Sequence, residues 1–582
     1  MRILLLQPAD SPRRGPWTRQ RWDFVVDLGR SSPFAAAAWE ELLRCPLLRA
    51  DSFRKGIADF KEIKEILAHG KGRLLDDEGI DWWTLQSLEI LPELEAMLFL
   101  QRIAAEIPRP AELWATRPGW PASALAAVLG LPLQAFGASF AARQAGNIKH
   151  YGRLLHHFSA AQLREIAFDK YDAAYKWRSR SAARMPPLSA PCILIPSAYT
   201  NVSRVAAAYA DVVPDQPFLL VATRRSSTLF EPRANVHLRP LATYAGGDSS
   251  DVELQTILAK WDVLIAELKQ IREFQILLSL GALDHFKKSV RNCLAVRNAW
   301  RRVLECEPVC GVLCGDDSNV YTRLPVLLAS RRGLPTLDFH HGAMDGRYLV
   351  KELACDRYLA KDETERDYLL NVCGLPPDEV VVGAPPATAL ATGKRKPSRA
   401  GSSIVFFSEP YEIVGIRTEE LYRELFPALC QLAHSTGHDV ILKLHPFESA
   451  TERSAMARAI LSSEDSRCVR IVSEPLSDAL LAQAWVGVTI ESSAVIDCTS
   501  RGIPCFLCGW LAFSPYGYMQ QYVKFGVGEI LRKVEEVADI PRKLAEHAAP
   551  TGEHALPSKV IEPQQLLQWL GANAPEPALR RA

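Results

Sequence analysis

Polar and titratable side chains follow three apolar stretches near the end of the sequence, where each stretch gives way to a loop. The stretches are 404–407, the strand-like part of GHDVILKLHPFES at 440–444, and 486–490. The polar residues at their ends are Ser408; Lys443, His445 and Glu448; and Glu491, Ser492 and Ser493. Because parallel strands point the same way, we expect these loops to share the sheet edge at which open α/β folds bind ligands.

A lysine, a histidine and the start of a helix at one sheet edge favour an anionic ligand. Ser492 or Ser493 is placed to cap the helix that follows, whose free N–H groups attract negative charge. We therefore predict a pocket for nucleotide phosphates. Each feature also has an ordinary alternative, because a serine pair before a helix often only caps it and His445-Pro446 after a strand often only makes a turn.

A second set of chemical groups lies in VCGVLCGDDSNVYTRLPVLLASRRGLPTLDFHHGAMDG, residues 309–346. Histidine titrates near neutrality, so His341 is a candidate general base that removes a proton from a sugar hydroxyl. Asp316 and Asp317 could do the same or orient the histidine, and Gly342 would let the backbone approach a ligand. Alternatively, the aspartates only cap the next helix and His340 only packs beneath its loop.

Short apolar stretches alternate with helical patterns along most of the chain, which is typical of parallel sheets covered by helices. The predicted strands are 3–6, 24–28, 113–115, 192–195, 218–222, 309–314, 335–339, 357–360, 380–382, 404–407, 440–444, 469–472, 486–490 and 504–507. Prominent helical patterns cover 93–107, 254–280 and 291–304. The predicted fold class is α/β with two Rossmann-like halves and helical insertions, at roughly 138–186 and 250–306, in the N-terminal half.

A stretch rich in proline, alanine, serine and basic residues is typical of a linker between the two halves. The predicted domains are an N-terminal α/β region 1–190, a Rossmann-like domain 191–385, the linker 386–402, a C-terminal Rossmann-like nucleotide-binding domain 403–545 and a tail 546–582. The first half could be two subdomains that meet near residue 190, or one sheet with insertions. The tail is predicted to be weakly ordered around one short helix.

The bulk composition excludes several classes of partner. Lys and Arg number 68 against 67 Asp and Glu, a net charge of +1, so we expect no nucleic-acid partner. No secretory signal or membrane span is predicted, and 13 scattered cysteines without a repeating framework favour a reducing cytosol. The amphipathic pattern at 287–303 could rest on lipid, but packing against the protein's own core is favoured.

His341-Gly342, Lys443-Leu444-His445-Pro446 and Ser492-Ser493 together resemble motifs of the GT-B-fold bacterial surface and capsular polysaccharide glycosyltransferases. These include capsule-synthesis Kdo transferases, CDP-glycerol glycerophosphotransferases and bacterial sialyltransferases, most of which use cytidine-linked donors. The resemblance covers roughly residues 305–510. It implies that His445 and the serine pair contact the donor phosphates and that His341 is essential. The sialyltransferases use an Asp in an acidic-acidic-Gly motif as base, whereas Asp316-Asp317-Ser318 lacks the glycine.

The expected function is thus transfer of a sugar, or a sugar-like group, from a nucleotide-activated donor to a growing surface polysaccharide or glycolipid. No metal or other cofactor is expected to be required, because helix N-termini and His445 would offset the phosphate charge. Acceptor recognition is assigned to residues 1–190 by elimination. The alternatives are a GT-B-like nucleotide-sugar epimerase or hydrolase, and a catalytically silent polysaccharide assembly or export partner. The expected location is the cytoplasm, with peripheral membrane association left open.

Overall fold

The computed structural model of the chain describes residues 1–7, 10–117, 119–136, 186–228, 230–231, 233–246, 251–385, 401–411, 416–446, 448–546 and 559–572. The chain forms two compact units. Unit 1 consists of Met1–Asp59, Leu94–Ala167 and Thr392–Ala555, and unit 2 of Phe60–Glu93, Phe168–Ala391 and Leu556–Ala582. Apart from residues 186, 401 and 402, the linker predicted at 386–402 and the insertion predicted at roughly 138–186 lie outside the described residues.

Sheet 1 belongs to unit 1 and contains the first strands of the chain. Its strands are β1 Arg2–Leu6, β2 Phe24–Asp27, β3 Leu47–Arg49, β4 Glu112–Ala115 and β5 Leu133–Ala135. Their order is β3-β2-β1-β4-β5, and all neighbours run parallel. After Arg2, the central strand β1 consists of buried apolar residues, as expected for a parallel strand that is covered on both faces.

Sheet 2 belongs to unit 2 and is the largest sheet in the described part of the chain. Its strands are β6 Cys192–Ser197, β7 Phe218–Ala222, β8 Val236–Pro240, β9 Val309–Cys314, β10 Thr336–Asp338, β11 Arg357–Ala360 and β12 Val380–Val382. The order is β12-β11-β10-β9-β6-β7-β8, again parallel throughout. The strands β7 and β8 therefore lie on one side of β6, and the strands β9 to β12 lie on the other side.

Sheet 3 belongs to unit 1 and follows the predicted linker. Its strands are β13 Ser403–Phe407, β14 Asp439–Lys443, β15 Val469–Val472, β16 Ala484–Thr489, β17 Cys505–Cys508 and β18 Glu529–Leu531. They run parallel in the order β15-β14-β13-β16-β17-β18. Buried side chains of β13 and of the helix Thr418–Thr436, among them Phe406 and Leu425, form one core cluster.

Helices connect almost all of these strands. They are Pro33–Leu43, Ile57–Ala68, Trp82–Gln86, Leu91–Glu106, Trp120–Leu129, Thr200–Ala210, Asp251–Leu268, Arg272–Ser279, Asp284–Cys306, Val320–Arg331, Glu363–Asp367, Thr418–Thr436, Ala450–Ile460, Asp465–Cys468, Asp478–Leu481, Ala494–Ser500, Tyr518–Lys524, Ile540–Glu546 and Pro563–Trp569. None of the helices in the described ranges is long and apolar enough to cross a membrane. The apolar side of Asp284–Cys306 is buried within unit 2, including Val290, Leu294 and Trp300.

The predicted α/β class is confirmed. Residues before 190 form a sheet of their own, so of the two arrangements left open for the first half the described residues show the one with two parts, and the described chain has three parallel sheets. The helix predicted at 254–280 is two helices, because Ile271 between them adopts an extended backbone. The one short helix predicted in the tail is found at Pro563–Trp569 and packs on sheet 2 through the buried side chains of Leu566 and Leu570. Most of the tail around it lies outside the described residues.

Candidate functional site

The order of strands in sheet 3 reverses between β13 and β16, which is where an open parallel sheet forms a ligand crevice. The loop after β13 carries Ser408 and Glu409, and the loop after β16 carries Glu491. The Oε2 atom of Glu409 accepts a hydrogen bond of 3.1 Å from the backbone N–H of Glu491. Two of the three loops singled out in the sequence therefore meet at this switch point.

Glu409 and Glu491 have carboxyl groups that titrate near neutral pH. Burial raises the pKa of Glu409 from 4.5 to about 8, with further contributions from the charges of Glu491 and Glu448. Burial also raises the pKa of Glu491 to about 7, although its Oε2 atom accepts a 2.8 Å hydrogen bond from the Ser514 N–H. Acids with such shifts can exchange protons at physiological pH and occur preferentially at functional sites. Sequence reasoning missed Glu409, because nothing in its loop reveals how deeply the side chain lies.

Glu448 holds the loop after β14 together. Its Oε1 atom accepts hydrogen bonds from Ser408 Oγ at 2.9 Å and from Arg453 Nε at 2.8 Å, and its Oε2 atom accepts one of 2.8 Å from the backbone N–H of His445. The Ser408 hydroxyl also lies 2.9 Å from the hydroxyl of Tyr422. Ser408 and Glu448 are thus occupied by protein partners, and their predicted contact with a donor stays a prediction.

Lys443 and His445 lie at the end of β14, and His445 differs in charge from the sequence expectation. Burial lowers the pKa of Lys443, whose Nζ atom donates to the carbonyl oxygen of Leu444. Burial, together with the Lys443 charge, lowers the pKa of His445 to about 4. His445 is therefore neutral at pH 7, so it does not supply the positive charge that we expected beside a phosphate. Lys443 is the cation of this pair, and His445 provides neutral hydrogen-bonding groups.

Ser492 and Ser493, the serine pair after β16, differ in their hydrogen bonds. The Ser492 hydroxyl accepts a hydrogen bond of 3.3 Å from the Ala494 N–H, and the Ser492 N–H donates to Thr489 Oγ1 at 3.2 Å. Ser493 precedes the helix Ala494–Ser500 directly, is exposed, and makes no capping hydrogen bond through its side chain. The capping role predicted for one of the two serines thus falls to Ser492.

The order of strands in sheet 2 reverses between β6 and β9, and the loop after β9 contains the predicted aspartates. Asp316 Oδ1 accepts a hydrogen bond of 3.0 Å from the Ser318 N–H and lies 3.7 Å from Arg347 Nη1. Neither aspartate caps the helix Val320–Arg331. Asn319 does so, since its Oδ1 atom accepts hydrogen bonds from the first turn of that helix.

Asp317 lies at the centre of a buried ionic network. Its two carboxylate oxygens contact Lys351 Nζ and, at 3.2 Å, Arg323 Nη1. Lys351 also forms a 2.6 Å ion pair with Asp345 and donates to Ser318 Oγ at 2.8 Å. The neighbouring carboxylates raise the pKa of Lys351 despite its burial, and Lys351 lowers that of Asp345. With both oxygens paired and the side chain wholly buried, Asp317 is suited to positioning this loop, and its predicted role as a base is untested.

Asp338, the last residue of β10, adds a buried carboxyl group to the same network. Burial and the charge of Asp317 raise its pKa well above 3.8, which favours the protonated form. The Tyr348 hydroxyl contacts Asp338 Oδ2 and lies 3.3 Å from Asp317 Oδ1. The sequence did not point to Lys351, Asp345 or Tyr348, because Lys351 stands beside Glu352 and close to Arg347 and looks like an ordinary surface charge.

His341 is the predicted residue with the most available chemistry. Burial lowers the pKa of its imidazole, so the ring is neutral at pH 7, while the charge of Asp316 acts in the opposite direction. Its Nδ1 atom is buried and makes no hydrogen bond within the described residues. The neighbouring His340 accepts a hydrogen bond of 3.2 Å from the Gly342 N–H. A Cβ atom on Gly342 would lie 2.9 Å from the His340 ring, so this glycine makes room for His340.

The predicted residues thus fall into two sets, one on each unit. Ser408, Glu448 and the other donor-side residues lie on sheet 3 of unit 1, whereas His341, Gly342 and the aspartates lie on sheet 2 of unit 2.

At the corresponding switch point of sheet 1, Asp10 accepts hydrogen bonds from the Gln7 N–H and Thr116 Oγ1, so the protein's own side chains bridge that crevice. Among the described residues, no cluster of three or more His, Cys, Asp or Glu side chains could hold a metal ion.

Comparison with known proteins finds structural likeness only. No family model and no curated protein matches the chain. Solved structures that it resembles include S. aureus MnaA with UDP (14% identity, 65% of this chain, 95% of that chain, TM-score 0.39). The calicheamicin glycosyltransferase CalG4 is 14% identical, with 67% of this chain and 100% of that chain covered and a TM-score of 0.40. Acinetobacter baumannii MurG is 12% identical, with 66% of this chain and 100% of that chain covered and a TM-score of 0.40. At such identities and TM-scores the likeness carries no conclusion about activity.

Proposed function

We propose that this protein is a GT-B-type glycosyltransferase that moves a sugar or sugar-like group from a nucleotide-activated donor to a surface polysaccharide or glycolipid. The observation that carries the proposal is the meeting of the Glu409 and Glu491 loops at the switch point of sheet 3. Open parallel sheets bind ligands at this kind of crevice. A cytidine-linked donor is favoured by the resemblance of the Lys443-to-Pro446 and Ser492-Ser493 motifs.

The predicted donor-binding residues of sheet 3 would hold the donor phosphates mainly through hydrogen bonds. Lys443 supplies positive charge, while His445 and the exposed hydroxyl of Ser493 supply hydrogen-bond donors for phosphate oxygens. In the transfer, an acceptor hydroxyl oxygen bonds to the anomeric carbon, and the bond from that carbon to the phosphate oxygen breaks. The electron pair of that bond leaves with the nucleotide, whose added negative charge these groups stabilise.

The base of this proposal is His341. Its imidazole is neutral at pH 7, so the ring can accept the proton of the acceptor hydroxyl. Asp316 stabilises the imidazolium that forms, because its charge favours the protonated ring. Asp317 acts indirectly, since its ion pairs with Lys351 and Arg323 hold the loop that carries Asp316.

The second candidate is a nucleotide-sugar epimerase or hydrolase. It is favoured by one observation, the pair of carboxyl groups of Glu409 and Glu491, which titrate near pH 8 and pH 7 on the donor side. Such groups could act as acid and base on the donor sugar without any acceptor. Release of nucleotide from CMP-linked and UDP-linked sugars and epimerisation of the intact donors, both measured with and without a glycan acceptor, separate the two. Acceptor-dependent release supports the transferase, and acceptor-independent turnover supports the alternative.

Nucleotide binding is tested first by thermal unfolding with CMP, CDP, UDP and GDP. A ligand that binds only the folded state stabilises it by about 2.7 kcal/mol at a hundredfold excess over Kd. We expect the largest increase in Tm with a cytidine nucleotide and its loss in His445→Ala. His434→Ala is the matched control, because His434 is half-exposed, pairs with Asp465, and lies before β14 begins. If none of the four nucleotides raises the Tm, the result would favour a catalytically silent assembly partner.

The role of His341 has its own test. We expect His341→Asn to reduce acceptor-dependent turnover by roughly 100-fold or more, the usual contribution of a general base, while the Tm increase with nucleotide is retained. His237→Asn, an exposed histidine on β8 of the same unit, should leave turnover unchanged. Turnover of His341→Asn within a factor of two of the wild type would remove His341 from the mechanism.

A further inference from the structure

Lys361 follows β11 directly and lies beside the loop that carries His341. The strands β10 and β11 are parallel neighbours in sheet 2, so the residues after both strands share one edge of the sheet. The Lys361 Nζ atom donates a hydrogen bond of 2.9 Å to the backbone carbonyl oxygen of His340. That carbonyl belongs to the peptide group between His340 and His341. The lysine therefore holds the backbone from which the His341 side chain projects.

Glu365 fixes the ammonium group of Lys361. Its Oε2 atom forms an ion pair of 2.9 Å with Lys361 Nζ and accepts a hydrogen bond of 2.8 Å from the Lys361 N–H. Its Oε1 atom accepts one of 2.7 Å from the Tyr358 hydroxyl, and its own N–H donates to Asp362 Oδ1 at 2.9 Å. Both carboxylate oxygens and the backbone N–H of Glu365 are thus bound, so this residue is a fixed anchor for the lysine.

The ion pair is largely shielded from water, because the Glu365 side chain is 1% exposed and the Lys361 side chain 16%. Salt screens partly buried charges much less than exposed ones, so the lysine charge acts on its surroundings. Burial lowers the pKa of both His340 and His341, and the Lys361 charge lowers both further. The His340 ring, with its centroid 4.6 Å from that of His341, is therefore uncharged at pH 7.

The other charged groups around the His341 ring act in both directions. The carboxylates of Asp316 and Asp345 raise its pKa, whereas Arg347, like Lys361, lowers it. Lys361 combines this charge with its hydrogen bond to the backbone of the histidine loop. Both the position and the protonation of His341 therefore depend on this lysine.

We propose that Lys361 is a positioning residue for His341: it holds the peptide group between His340 and His341, and Glu365 holds the lysine. This role rests on the proposed function, in which His341 removes the proton of the acceptor hydroxyl. The fixed peptide group limits the positions that the imidazole can take during proton transfer. The lysine charge opposes protonation of the resting ring, which must be neutral to act as a base.

The test uses Lys361→Met combined with Glu365→Gln, which removes the ion pair without leaving a buried carboxylate behind. We expect kcat/KM for acceptor-dependent transfer to fall about tenfold or more, since small displacements of a catalytic group are costly. The acid limb of its pH profile should move to higher pH, because loss of the lysine charge makes His341 easier to protonate. Lys287→Met combined with Asp262→Asn neutralises an exposed ion pair of the same unit and should leave both quantities unchanged.

A conservative variant separates positioning from a merely structural role. Lys361→Arg keeps a positive charge and donor groups, so it should retain the acid limb of the wild type and most of its turnover. If turnover falls in the double variant of Lys361 and Glu365 while the acid limb stays in place, the pair only supports the fold and the proposal is wrong. Turnover within a factor of two of the wild type would also overturn it.

NMR titration of isotope-labelled histidine tests the assignment without any turnover, with the His341 signal identified by its absence in His341→Asn. We expect a higher pKa of His341 in the double variant of Lys361 and Glu365 than in the wild type. Absence of transfer from every donor would refute the proposed function, and the titration would then decide on Lys361 separately. A raised pKa would support its action on His341, and equal pKa values would overturn it.

Discussion

The carboxyl group of Glu409 accepts a hydrogen bond of 3.1 Å from the backbone N–H of Glu491, and this bond joins the loops after β13 and β16. The two residues are 82 positions apart in the sequence. They meet because the order of strands in sheet 3 reverses between these two strands. Each of the two carboxyl groups has a pKa near neutrality, so the switch point combines a crevice with groups that can exchange protons.

Glu409→Gln should make the protein less sensitive to alkaline pH. The pKa of Glu409 is about 8 when folded and near 4.5 when unfolded, so the folded state binds more protons between these values and the wild type loses stability as pH rises through them. The neutral glutamine does not titrate. We expect the Tm of the wild type to fall more than that of Glu409→Gln between pH 6 and pH 9. Glu419→Gln at the surface is the control, and parallel Tm profiles for Glu409→Gln and wild type would contradict the shift.

His445→Gln should have the opposite effect, protecting the protein against acid. The pKa of His445 is about 4 when folded and near 6.5 when unfolded, so the unfolded state binds more protons between these values and stability falls as pH decreases. Between pH 7 and pH 5 this costs the wild type about 1 to 2 kcal/mol, allowing for partial exposure of the ring. Thermal unfolding at both pH values should show a smaller decrease for His445→Gln. An equal decrease would mean that the folded protein leaves His445 free to protonate.

Lys351→Ala should destabilise unit 2 strongly. The substitution leaves Asp317 and Asp345 without their shared cation in a buried site, and breaking a buried ion pair in this way costs about 3–5 kcal/mol. Urea unfolding followed by circular dichroism would measure the loss. Lys71→Ala removes an exposed partner of Glu352 in the same unit and should cost no more than about 1 kcal/mol. Similar losses in the two variants would show that the network around Lys351 is open to water.

Asp338→Asn should be tolerated where Asp317→Asn is not. Burial and the charge of Asp317 raise the pKa of Asp338 well above 3.8, which favours its protonated form, and asparagine resembles that form in charge and shape. Asp317 balances Lys351 and Arg323, and its amide would leave two buried cations with one carboxylate fewer. We expect the Tm of Asp317→Asn to fall by several degrees more than that of Asp338→Asn. The reverse order would mean that Asp338 carries the charge in this network.

The donor-side and base-side loops differ in how far their chemistry could be predicted. The sequence located His341, Lys443 and Glu491 at strand ends, because an apolar stretch that stops at a polar residue marks the carboxyl edge of a parallel sheet. It did not reveal that Glu448 is enclosed by Ser408 and Arg453, since those contacts depend on how the loops fold back. The strand that ends at Asp338 was predicted, but the raised pKa of this acid was not, because it depends on burial and on the charge of Asp317.

By itself the sequence determined the α/β class and most central strands, including β9 and β13, because these strands are continuous apolar runs with β-branched residues. It missed β3, β5, β8 and β18, which are short or polar and lie at or next to a sheet edge. Only the tertiary structure decided which charges exist at the candidate site. The pKa of Glu409 is set by burial and by Glu491 and Glu448, which are distant in sequence, and that of His445 by burial and by the nearby Lys443. The extent of burial cannot be read from residue types or spacing.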